Sequence, residues 1–176
     1  MEHAGHHEEG HDHAPDPLGK RVAVMAATFA VLLAVVTILS HRAHTAAVME
    51  KSEENDKWNE YQSKKLKMHT REVGADLMTV LGEKNPLAGE KIKAYNEEIG
   101  KYKEEAANLM KEAKEKGASV KHVEKQAAYF DIGEGLLELG LIMSSLYFIG
   151  KKALFPIVGF LSGIGGVVLG VIGLML

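Results

Sequence analysis

Three groups of side chains in this sequence are of types, and at spacings, that could do chemistry. Asp131, Glu134 and Glu138 stand three and four residues apart, which puts three carboxylates on one face if the segment is helical. Where such a face enters an apolar run it could bind a cation, carry a proton or meet a basic residue of another subunit. The plainer reading keeps Asp131 and Glu134, which precede the apolar run, at headgroup level, and leaves only Glu138 inside it. The second group is an N-terminal tail in which His3, His6, His7, His11 and His13 alternate with Glu2, Glu8, Glu9, Asp12 and Asp16. Imidazole and carboxylate together suit zinc, copper or nickel, yet a flexible histidine tract binds such ions without any evolved role. A transition metal on this tail is the one cofactor the sequence suggests. The third group is Trp58 and Tyr61, three apart among the amides Asn55, Asn59 and Gln62. Aromatics so placed are expected to anchor helix packing rather than to hold a ligand.

Signatures of catalysis are missing. The sequence has no H-E-x-x-H, no phosphate-binding glycine loop, no G-x-S-x-G and no cysteine, so no thiol nucleophile or thiolate metal site is available. With 21 basic and 24 acidic residues the net charge is −3, so no basic excess of the chain as a whole points to nucleic acid, and no nucleic-acid partner is expected. No enzymatic activity is expected.

The elements that must position these groups are visible in the distribution of charge. The mean hydropathy of −0.08 averages two apolar ends and a charged middle. Residues 22–40 carry no charge, and about 20 apolar residues cross the roughly 30 Å hydrocarbon core at ~1.5 Å per residue. Residues 20–40 are therefore expected to be transmembrane helix 1, an uncleaved signal anchor. Residues 131–150 are expected to form transmembrane helix 2, and residues 153–176, uncharged to the end, transmembrane helix 3. Lys20-Arg21 and Lys151-Lys152 then lie on one side, which the positive-inside rule makes cytoplasmic, with the middle of the chain outside.

Between the first two spans, residues 41–130 read as an extramembrane helical hairpin that turns near 84–88, where Pro86 breaks two long helix-forming stretches. Beyond the turn Ile92, Tyr95, Ile99 and Tyr102 begin a stripe spaced alternately three and four apart, the mark of a coiled-coil seam. Its expected partner is the outgoing helix, where Leu66, Val73, Leu77 and Val80 offer a matching stripe, with Trp58 and Tyr61 as the strongest anchors. The arms 41–83 and 88–130 match in length, and Gly117 is expected to break the second. In the last span Gly159, Gly163, Gly166, Gly170 and Gly173 line one face, spacing that lets another helix backbone approach closely. The expected fold is an all-α membrane protein of three transmembrane helices with a long antiparallel, coiled-coil-like hairpin between the first and second.

From Gly19 onward the chain resembles a bacterial family known as a domain of unknown function, DUF4337. The resemblance rests on the span ending near Ser40, the Asn55-Asp56, Trp58 and Tyr61-Gln62 segment followed by Lys64-Lys65, the charged helical middle and the paired C-terminal spans. It implies a protein of the bacterial inner membrane and brings no catalytic or binding residue with it. Because so thin a hairpin has little interior, the sequence is expected to encode a non-enzymatic structural or accessory subunit. It would bind the lipid bilayer and either copies of itself or other membrane subunits. Two alternatives stand beside this: an ion-conducting or transport role for the acidic face of the second span, and metal binding by the histidine tail.

Overall fold

A computed structural model describes residues 16–82 and 85–176, and among them the ordered elements are three helices. They are α1 (Pro17–Leu81), α2 (Ala88–Gly150) and α3 (Leu154–Met175). Each contains a stretch long and apolar enough to cross a membrane, judged by length and composition. The histidines of the tail, His3 to His13, lie outside the described residues.

Local chemistry sets the ends of each helix. Asp16 caps α1 by accepting the Gly19 amide at 2.7 Å, and Pro17 occupies the first turn, where its missing amide hydrogen costs nothing. At the far end Gly82 closes α1 by donating to the Met78 carbonyl at 2.9 Å. A Cβ on Gly82 would stand 2.5 Å from that of Ala88, so only glycine lets the chain fold back this tightly. Asn85 completes the turn, its side chain accepting from Leu87 at 3.0 Å. Between α2 and α3 the reversal falls on Lys151, which adopts a left-handed φ of 50° and donates to the Tyr147 carbonyl at 2.8 Å. A side chain in that conformation carries some strain.

α1 and α2 run in opposite directions along one another, as their ion pairs report. Lys57 meets Glu112 at 2.9 Å, Lys64 meets Glu105, and Arg71 meets Glu98, so α2 numbers fall as α1 numbers rise, seven residues at a time. Nearer the apolar end the signs exchange, with Lys116 of α2 between Glu50 and Glu53 of α1. This reversal opposes sliding. A shift of one heptad that brought Lys57 to Glu105 would also set Arg71 against Lys91 and Glu50 against Glu112.

On α2 the face toward α1 includes the half-buried Ile92, Tyr95, Ile99 and Tyr102 and then the buried Ala106, Ala113, Val120 and Ala127. On α1 the facing residues differ from the expected stripe. Leu66, Val73, Leu77 and Val80 are between 54% and 75% exposed, while Lys57, Tyr61, Lys64, Met68, Arg71 and Ala75 turn inward. The two sets are offset by two positions, about 200° around a helix, so the apolar stripe lies on the far side of α1. Charged residues can line the seam because their stems lie along aromatic rings. The Arg71 guanidinium sits 5.2 Å from the Tyr95 ring centre and the Lys64 ammonium 5.6 Å from that of Tyr102. Nor does Gly117 break α2, which runs unbroken from Ala88 to Gly150; Gly117 instead makes room for Glu54.

The densest core lies where the apolar parts of the helices meet. Phe29, Val36 and Ala43 of α1 pack with Ala127, Phe130 and Leu137 of α2, and Val167 of α3 adds to them.

Candidate functional site

The polar chemistry of the structure concentrates at the two ends of this apolar core. At the end toward the long arms, Thr37, Ser40 and His44 follow one another on the face of α1 that meets α2. Ser40 donates to Asp131 Oδ1 at 2.7 Å, and His44 Nε2 lies 2.9 and 3.0 Å from the two oxygens of the same carboxylate. Thr37 donates to Glu134 Oε1 at 2.7 Å. Ser40 is buried at 4% exposure, so its hydroxyl has Asp131 in place of water.

The three carboxylates singled out by spacing therefore do not act as one group. Asp131 and Glu134 reach to α1, whereas Glu138, one heptad beyond Asp131 on the same side of α2, is exposed and makes no hydrogen bond or ion pair among the described residues. Beside Asp131 a groove of about 680 Å³ opens between the helices, with His44, Lys51, Ser52, Asn55 and Glu124 on its walls. The groove offers both signs of charge and an imidazole beside the apolar Ala47, Val48, Ala127 and Ala128. Among the described residues no three His, Asp or Glu side chains converge as metal ligands would.

Trp58 and Tyr61 stand edge to face, ring centres 5.7 Å apart, half-buried on α1, with Trp58 Nε1 donating to Glu54 at 3.3 Å. Glu54 also takes Lys51 at 2.8 Å, and that contact, more than the tryptophan's, holds its carboxyl below the usual range.

At the opposite end Asp16 ties the start of α1 to the end of α2. Its carboxylate accepts from Tyr147 at 3.0 Å and pairs with Lys151 at 3.0 Å, while Lys151 lies over the Tyr147 ring at 5.4 Å. The Gly19 amide, followed by Lys151, lowers the Asp16 pKa from its ordinary value.

The five glycines of the α3 stripe are all buried against the rest of the chain, while Gly165, off the stripe, is not. Gly159 and Gly166 press on the backbone of α2 at Gly140 and Gly133, Gly163 receives the Phe29 ring of α1, and Gly173 lies beneath Phe130. The stripe is thus used within the molecule. Its counterpart glycines on α2, Gly133 and Gly140, are seven apart and match it in spacing, but two glycines are a weaker signal than five. Ser40 and His44, four apart, became recognisable as a site only once Asp131 was placed opposite them.

Residues 18–176 match the family model described as a domain of unknown function (DUF4337), and the chain belongs to that family. No curated protein and no solved structure matches it.

Proposed function

Starting from membership of a family that brings no activity with it, we propose that this chain is a non-enzymatic, membrane-anchored structural subunit that works by association. In this reading the apolar parts of the three helices cross the bacterial inner membrane. Lys20, Arg21, Lys151 and Lys152 mark the cytoplasmic face. The long arms of α1 and α2 stand on the outer side as an antiparallel, coiled-coil-like hairpin.

The observation that carries the proposal is the second face of α1. The glycine stripe and the inner seam are both consumed within the chain, which leaves Leu66, Val73, Leu77 and Val80 exposed on the far side of α1 at coiled-coil spacing. That face is the docking surface for copies of the chain or for another membrane subunit. The test is the mass of the complex after gentle extraction in native lipid, with co-purifying proteins identified, for the wild type and for Leu77→Asp. A defined assembly that the substitution dissolves supports the proposal. A wild-type monomer, or an assembly that Leu77→Asp leaves whole, overturns it.

Glu138 favours a second reading. An unpaired carboxylate on the outer face of an apolar stretch costs roughly 2.5–3.5 kcal/mol at a bilayer centre unless it meets a proton, an ion or a partner. In an ion-conducting assembly Glu138 would line the path, and Glu138→Gln would abolish flux while leaving the complex intact.

A further inference from the structure

Between the start of α1 and the start of α3 lies a cleft of about 350 Å³. Its walls are Val22 and Met25 from α1 with Pro156, Ile157 and Phe160 from α3, and Arg21 is the only charged residue among those that line it. α1 and α3 touch each other only sparsely, since each packs chiefly on α2. The glycine face of α3 is turned to α2, so the bulky side chains of α3 remain free for other contacts.

We infer that this cleft binds one acyl chain of an anionic phospholipid, with the lipid phosphate held by Arg21 and Lys20. The chemistry favours that occupant for two reasons. The cleft is apolar along its length, as an acyl chain requires, and it opens beside a cluster of positive charge. Lys20, Arg21 and Lys152 form no ion pair among the described residues, while the nearby carboxylate, Asp16, is taken up by Lys151, Tyr147 and the Gly19 amide. A basic rim over an apolar gap between helices selects a negatively charged headgroup over a zwitterionic one. The inference rests on the membrane-spanning part of the proposal above, and not on the association surface.

The test begins with an alkaline carbonate wash of membranes that contain the full-length protein. Release of the protein would overturn the membrane reading, and this site with it. With the protein retained, native mass spectrometry of the detergent-purified chain would compare added phosphatidylglycerol with phosphatidylcholine of the same acyl chains. The expected result is one retained lipid, with phosphatidylglycerol preferred, and a preference that falls about fivefold in Arg21→Gln, since a basic residue near a lipid surface contributes on the order of 1 kcal/mol. Ile157→Trp, which fills the cleft and leaves every charge in place, should lose the bound lipid altogether. Equal retention of the two lipids, an unchanged preference in Arg21→Gln, a lipid still held by Ile157→Trp, or a lipid-free dimer joined at the cleft would each overturn the site.

Discussion

Gly166 of α3 and Gly133 of α2 touch backbone to backbone, so closely that a Cβ on Gly166 would lie 2.6 Å from the Gly133 carbonyl oxygen and a Cβ on Gly133 would lie 2.9 Å from that of Gly166. Neither backbone can yield as a flexible side chain would. Gly166→Val is therefore expected to push α3 away from α2, at the 1–3 kcal/mol typical of overpacking. Gly165→Ala should be tolerated, because its Cβ would meet only the tip of Leu136 at 3.4 Å. Thermal unfolding of the two variants in one detergent separates them, and equal midpoints would contradict the packing described.

Arg71 and Glu98 end the row of ion pairs nearest the turn. Arg71→Glu should expose the distal arms to hydrogen exchange, and the exchanged pair Arg71→Glu with Glu98→Arg should restore much of the protection. If the double variant exchanges as fast as the single one, the two residues are not partners.

The same row makes the arms sensitive to pH. Lys64 lowers the Glu105 pKa from its ordinary value of 4.5, so this carboxylate stabilises the folded state above about that pH and ceases to do so as pH falls through the lowered value. Glu105 in turn raises the Lys64 pKa above 10.5, a contribution present below that pH and lost as pH climbs through the raised value. Circular dichroism melts from pH 7 down to 3 should show the arms loosening at the acid end, with a smaller change in high salt, which already screens the exposed pairs at pH 7. A melting midpoint indifferent to both would show that the pairs contribute nothing.

Ser40 and Asp131 join α1 to α2 where the arms begin. Ser40→Ala removes a buried donor to a carboxylate and should cost roughly 1.5–3 kcal/mol. In a double-mutant cycle, Ser40→Ala and Asp131→Asn should together cost less than the sum of their separate effects. Strict additivity would break the link between them.

Sequence alone located the three helices well, because uncharged runs, Pro86 and the lysine pair at 151–152 are punctuation that physics enforces locally. It located contacts between helices less well. On α2 the apolar seam residues keep their spacing and can be recognised without a partner. On α1 the residues that face α2 include Lys57, Lys64 and Arg71, whose charges hide the seam, and the apolar periodicity marks the opposite face instead. Asp131 and its partners on α1 stand some ninety positions apart in the chain, with nothing local to announce the pairing.

α1 and α2 each pass from the apolar core into the long arms as one uninterrupted helix, 65 and 63 residues long, with no proline or loop at the junction. Mechanically this makes the pair a lever with no joint. A change of about 10° in the lean of the apolar end would swing the turn at Asn85 sideways by roughly 10 Å over an arm of about 60 Å. Small adjustments at the apolar end would thus be amplified at the far tip without any part of the chain having to unfold.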